Sequence, residues 1–123
     1  MVLQLWQEAD AEPSHTDDVP GLTQLIEHDP AALLLAEDRG RVVGSVIAAW
    51  DGWRGSIYRL AVATGSRRQG LGRQLLYAAE ERLREAGAVR AQAIVVETNT
   101  LATRFWTTSG WEQQSERLRF VKG

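Results

Sequence analysis

Arg67-Arg68-Gln69-Gly70-Leu71-Gly72 stands between an apolar run from Ile57 to Ala63 and a stretch from Leu71 to Ala86 whose apolar residues recur every three to four positions. A strand that turns through R-x-x-G-x-G into a helix gathers several backbone N–H groups and the positive end of the helix dipole at one point. That point suits a phosphate. The two glycines fit such a loop because a residue without Cβ lets an anionic oxygen approach the main chain and tolerates positive φ. Arg67, Arg68 and Arg73 add cations beside the amides.

The elements around this loop are readable. In the helix after it, Leu71, Leu75, Leu76, Ala79, Leu83 and Ala86 take one face and Arg73, Glu80, Glu81 and Arg84 the other, with Gly87 as the stop. Ala91 to Val96 is short, apolar and β-branched at its end, which predicts a buried strand. Asn99 is placed to open a second helix with Leu101, Ala102, Phe105 and Trp106 on one stripe, closed by Ser109-Gly110-Trp111. Upstream, Val2 to Trp6 alternates like a first strand, and Thr16-Asp17-Asp18 before Pro20 predicts a helix ending near His28. Ala32 to Glu37 and Val42 to Ala49 predict two strands joined in a hairpin at Asp38-Arg39-Gly40-Arg41, and Asp51-Gly52 marks the turn into the Ile57 strand. Antiparallel strands first and a βαβα unit afterwards predict an α+β fold, and 123 residues suit one domain spanning 1–123.

Leu60-Ala61-Val62, then Arg67-x-x-Gly70-x-Gly72, then Asn99-x-x-Ala102-x-x-Phe105-Trp106-x-x-Ser109-Gly110-Trp111 occur in this order on these elements. The pattern resembles the GNAT family of acetyl-CoA-dependent N-acetyltransferases, in which the equivalents read L-x-V, R-x-x-G-x-G/A and N-x-x-A-x-x-F-Y-x-x-x-G-F. The resemblance implies a mixed central sheet splayed between its fourth strand, holding Leu60 to Val62, and its fifth, Ala91 to Val96, with flanking helices. It also implies a shortened N-terminal helical region, because one convincing helix lies where the family carries two. Acetyl-CoA is the implied cosubstrate, its pantetheine pairing with the backbone from Leu60 through Ala61 to Val62 and its pyrophosphate taking the N–H groups of the loop: Arg67, Arg68, Gln69, Gly70, Leu71, Gly72 and Arg73. Asn99 and Ala102 complete the implied cofactor set.

For transfer to a primary amine, the Val62 amide is the expected oxyanion donor and Glu97, just past the fifth strand, the best remaining carboxylate base. Its other reading is a loop or helix-cap carboxylate. Trp106 replaces the family's tyrosine, and indole N–H donates a hydrogen bond but gives up no proton at neutral pH. Asp51, Arg54 and Tyr58 are candidates to meet the acceptor. A module that binds CoA without turnover remains the alternative, on account of Trp106 and the short N-terminal region.

Composition removes other chemistries. A net charge of −2 argues against nucleic acid, because such a partner needs a broad basic face. No apolar run approaches the ~20 residues of a membrane span and no signal peptide opens the chain, so a cytoplasmic protein is expected. The absence of cysteine excludes disulfides, thiolate metal sites and a Cys-linked acyl-enzyme, which leaves direct transfer. His15 and His28 are too far apart for a metal pair. Leu75 stands where a dinucleotide fingerprint needs Gly or Ala, and no G-x-S-x-G elbow occurs. Trp6 and Trp111 are expected in the core, whereas Trp50 and Trp53 flank a turn and are harder to hide; surplus aromatic surface and a thin acceptor side make a homodimer conceivable.

Overall fold

Two apolar runs punctuated by turn residues become the hairpin that starts the sheet. In the computed structural model, which describes residues 2–8, 18–67, 69–95 and 100–122, strand β1 spans Leu33–Asp38 and β2 spans Arg41–Trp50. They are antiparallel, joined through Arg39 and Gly40 at φ 53° and 79°. Two successive residues of positive φ make the tight turn whose twist matches that of the flanking strands. Strand β3, Gly55–Val62, runs antiparallel to β2, and the short β4, Ala91–Ala93, pairs with it in parallel, so the order is β1-β2-β3-β4 in one mixed sheet.

Helix α3, Leu71–Ala86, makes the parallel crossover, as its spacing predicts. Leu75, Ala79 and Leu83 bury against Val46, Ala48 and Ile57. The helix lies so close that a Cβ on Gly44 would meet Leu75 Cδ1 at 2.8 Å, and one on Gly55 would meet Leu83 Cδ1 at 2.6 Å. Gly87 closes α3 in the left-handed region (φ 110°), its N–H returning to the Arg84 carbonyl and that of Ala88 to the Leu83 carbonyl, the two bonds of a Schellman end. Helix α4, Thr100–Thr108, ends the same way: Gly110 N–H bonds to Thr107 and Trp111 N–H to Trp106. The two indoles stack edge-on at 4.7 Å, the hydrophobic contact that accompanies this cap.

The other sheet face carries α1, Val2–Glu8, and α2, Val19–His28. Asp18 caps α2 by accepting from Gly21 N–H, with Pro20 in the first turn as expected. The expected strand at Val2 to Trp6 is corrected: this segment is α1. Val2, Leu5 and Trp6 are the buried residues, and their spacing of three and four is helical, while the alternation of Leu3 and Leu5 is shared by both patterns over so short a window. Two helices therefore precede β1, so the expectation of a single one is corrected too. Both press on Ile47, Ala61 and Ala32. At the far side the sheet is shorter than expected, since β4 stops at Ala93, Ile94 is largely exposed, and Val96 lies outside the described residues.

Candidate functional site

The pairing of β3 with β4 covers only Gly55–Ala91, Ser56–Gln92 and Ile57–Ala93, while β3 runs on to Val62. From Tyr58 to Val62 the ladder on that side is open among the described residues, so the sheet forms a wedge with its mouth at the C-terminal end of β3. Ala63 N–H donates to the Val43 carbonyl on β2. By the two-residue period of a strand, Val62 then faces the other way, into the wedge, as does Leu60. Leu60 and Val62 side chains join the margin of the core under α3, as do Ala93, Trp106 and Trp111; Ala61 is buried on the α1 face.

The loop that ends β3 delivers the N-terminus of α3 to this mouth. Gly70 sits at the helix N-cap in the left-handed region (φ 76°, ψ 8°) and its carbonyl accepts the first helical bond, from Gln74 N–H. No side chain caps the helix, which leaves the N–H groups of Leu71, Gly72 and Arg73 without an intrahelical partner. Open donors, a dipole end and a glycine at positive φ fit a pyrophosphate. Arg67 Nε donates to the Val62 carbonyl at 3.1 Å, and Gln69 lines a cleft of about 230 Å³ beside the loop. Arg73 turns to α4, where it donates to Thr108 Oγ1 at 3.1 Å. Arg68 lies outside the described residues.

Helix α4 closes the same corner. A Cβ placed on Gly72 would touch the Phe105 ring at 3.4 Å and Val62 Cγ2 at 3.8 Å, so the first turn of α3, the end of β3 and the middle of α4 converge. Trp106 is half-buried between Phe105 and Trp111, in edge-on contact with both rings. Ala102 is on the half-buried side of the helix, whereas Leu101, expected on that stripe, is exposed. Asn99 and Glu97 lie outside the described residues.

The three acceptor candidates are not together. Tyr58 is half-exposed at the point where the ladder opens. Asp51 and Arg54 belong to the turn before β3, and eight residues of strand separate them from the loop by roughly 25 Å. The N–H groups of Arg54 and Trp53 each donate to Asp51 Oδ1 at 2.7 Å, and these bonds hold its carboxyl below the ordinary carboxylate range. The Arg54 guanidinium lies over the exposed Trp53 ring, 4.1 Å from its centre.

Sequence reasoning missed the support beneath the wedge. Between the paired residues Ser45–Ala61 and Ile47–Tyr58, β2 contributes Val46 alone and β3 contributes Arg59 and Leu60, a β-bulge with Arg59 at φ 51°. Ser45 is fully buried; Trp6 Nε1 donates to its Oγ and Ser45 Oγ donates to the Arg59 carbonyl, both at 2.8 Å. The available signal was a lone serine inside the otherwise apolar run Val42 to Ala49.

Among the described residues no group of His, Asp and Glu is disposed to hold a metal ion, and no helix is long and apolar enough to cross a membrane. The family model for acetyltransferases of the GNAT family matches residues 1–111. Solved structures with the same fold include the aminoglycoside N-acetyltransferase AAC(6')-Iy in complex with CoA, at 19% identity over 99% of this chain and 86% of that one, with a TM-score of 0.71. The ribosomal-protein-S18-alanine N-acetyltransferase from Escherichia coli is 20% identical over 93% of this chain and 71% of its own, at a TM-score of 0.71. An acetyltransferase from Trypanosoma brucei is 20% identical over 98% and 90%, at 0.66. With the wedge, the uncapped α3 terminus and a family match over nine-tenths of its length, the chain belongs to the acetyltransferase (GNAT) family.

Proposed function

We propose that this protein transfers the acetyl group of acetyl-CoA directly to a primary amine, with the thioester lying in the wedge between β3 and β4. The observation that carries this reading is the run of five β3 residues, Tyr58 to Val62, that continues beyond the last pairing with β4. A chain of amides such as pantetheine can pair there as a strand would, along Leu60, Ala61 and Val62. The pyrophosphate then falls at the loop from Arg67 to Arg73, with Ala102 flanking it from α4 and Asn99 assigned to the same set from the sequence pattern.

In the transfer, the amine nitrogen bonds to the carbonyl carbon, the C–S bond breaks, and the sulfur leaves as a thiolate that takes up a proton. Negative charge builds on the carbonyl oxygen, and a fixed Val62 N–H aimed into the wedge lowers the barrier by about 2.7–4 kcal/mol, the typical worth of one such donor. The amine must arrive neutral, and a lysine-like amine of pKa about 10.4 is neutral at pH 7 only about once in 2,500 molecules. Glu97 is assigned as the base that removes this proton, directly or through water. Trp106 borders the sulfur and donates from its indole, and a thiolate of pKa near 8.5 is a tolerable leaving group without full protonation. Tyr58, half-exposed where the wedge begins, borders the acceptor; Asp51 and Arg54 can meet only the far end of a long one.

Known folds of this kind serve acceptors as unlike as an aminoglycoside and a ribosomal-protein alanine, so the acceptor here is assigned only as an amine. The test is thiol release from acetyl-CoA against a panel of aminoglycosides, polyamines and peptides with free N-termini. Release with at least one amine, abolished in Gly72→Asp, is expected. Acetyl-CoA binding with no release for any amine would favour the non-catalytic module.

A further inference from the structure

A residue with a side chain in the left-handed region costs roughly 1–2 kcal/mol relative to ordinary backbone, so Arg59 at φ 51° needs compensation. The compensation is visible. The Arg59 carbonyl accepts from Ser45 Oγ, which is itself held by Trp6 Nε1, and the Arg59 guanidinium lies 5.8 Å from the centre of the Trp6 ring. A side chain from β2, itself held by one from α1, thus grips a single peptide group of β3, in a place from which water is excluded. A serine hydroxyl so enclosed is anchored from both sides, as acceptor from the indole and as donor to the carbonyl.

The gripped group is the peptide joining Arg59 to Leu60. A trans peptide is planar, and its C=O and N–H point in opposite directions. With the Arg59 carbonyl drawn to Ser45 on the β2 side, the Leu60 N–H is driven away from β2, toward the side on which β4 has left the ladder. We propose that Ser45, braced by Trp6, is a positioning residue for acetyl transfer: it fixes the Arg59–Leu60 peptide so that Leu60 N–H stands as a second donor in the wedge, about 6.6 Å along the strand from Val62 N–H, and the two together set where the acetyl carbonyl lies. Neither Ser45 nor Trp6 touches the thioester; both act through the backbone of the bulge. This rests on the reading of the wedge as the thioester site.

The carbonyl stretch of bound acetyl-CoA reports the donors directly, without any acceptor amine. With acetyl-CoA carrying 13C at the thioester carbonyl, isotope-edited infrared spectra of the complex should show the band at lower wavenumber than in water. Ser45→Ala should lose at least half of that displacement while the affinity for unacetylated CoA stays within about two-fold, because the pyrophosphate loop is untouched. Ser45→Thr keeps the hydroxyl and should restore the band, a rescue that general loosening of the fold would not give. Trp6→Phe leaves Ser45 in place but removes its brace, and should move the band in the same direction by less; it carries the test if Ser45→Ala does not fold. A band unchanged in both Ser45→Ala and Trp6→Phe overturns the proposal while leaving the wedge reading intact. A band at its solution position in the parent removes the wedge reading and the proposal with it.

Discussion

Two glycines two residues apart should respond to alanine with opposite signs. Gly70 sits at φ 76° as the N-cap of α3, with nothing within 4 Å of where a Cβ would stand. Space is therefore not the issue at this position, and the cost of Gly70→Ala is the left-handed penalty of roughly 1–2 kcal/mol. Gly72 lies inside the first turn of α3, where its Cβ would make ordinary contact with the Phe105 ring at 3.4 Å. Gly72→Ala gains helix propensity, at most about 1 kcal/mol and closer to 0.5 in a first turn. The two variants should then differ by roughly 1.5–2.5 kcal/mol, which for a domain of this length is about 5–10 °C in Tm, with Gly72→Ala the more stable. Differential scanning calorimetry without ligand reads this cleanly. Binding should separate them as well. Gly72→Ala, a residue the family pattern admits, should keep CoA affinity within a few-fold, while Gly70→Ala tilts the loop amides and loses about ten-fold or more, the worth of one charge-assisted hydrogen bond. Equal Tm values, or Gly70→Ala above Gly72→Ala, would refute the left-handed cap and with it the aim of the loop.

In steady-state assays with whichever amine is accepted, Glu97→Gln should lower kcat/KM by about 10²-fold or more with CoA affinity unchanged; an unaltered pH profile would transfer the role to water. Trp106→Tyr should raise kcat and Trp106→Phe lower it if proton delivery to sulfur limits turnover, and equal kcat values in all three would mark Trp106 as packing alone. Asp51 stabilises the turn before β3 through its ionised form, so its depressed folded pKa makes that contribution complete above the ordinary value near 3.9 and lost as pH falls through the folded value. Asp51→Ala should accordingly lower Tm at pH 6, and the deficit against the parent should shrink below pH 4; a constant deficit would dissociate the effect from ionisation.

Much of this fold was open to direct reading because long elements carry redundant signals. Helix α3 announces itself four times over in Leu75, Leu76, Ala79 and Leu83 and ends at a glycine, and its bounds fall where the spacing puts them. The loop before it is equally plain, since positive φ at Gly70 and an uncapped helix end are what its glycines predict. Val2 to Trp6 defeats such reading because five residues hold barely one helical turn and cannot distinguish a period of 2 from one of 3.6; tertiary burial of Leu5 and Trp6 decides the matter. The short extent of β4 was hidden for a different reason. Ile94 and Val95 are as apolar as any strand, but pairing with β3 ends at Ile57–Ala93, a relation between residues more than thirty positions apart that no local pattern contains. Likewise Ser45 could be noticed as odd, yet its partners Trp6 and Arg59 are 39 residues behind it and 14 ahead.

One end of the sheet is bolted and the other is free, and Arg82 supplies the bolt. From the middle of α3 its Nε donates to the Ala31 carbonyl at 2.8 Å and its NH2 group pairs with the Asp29 carboxylate, so α3 is strapped to the chain entering β1. Beside it Gly55 N–H bonds to the Arg90 carbonyl, at the root of the β3–β4 pairing. Mechanically the molecule is a clothes-peg whose pivot lies at the Gly55 end and whose jaws lie at the Val62 end. A force or a guest that spreads the jaws acts on a lever five residues long, while the pivot keeps the two faces of the sheet in fixed register. Amide exchange along β3 should therefore rise from Gly55 toward Val62, and a guest seated in the jaws should slow it most at the tip.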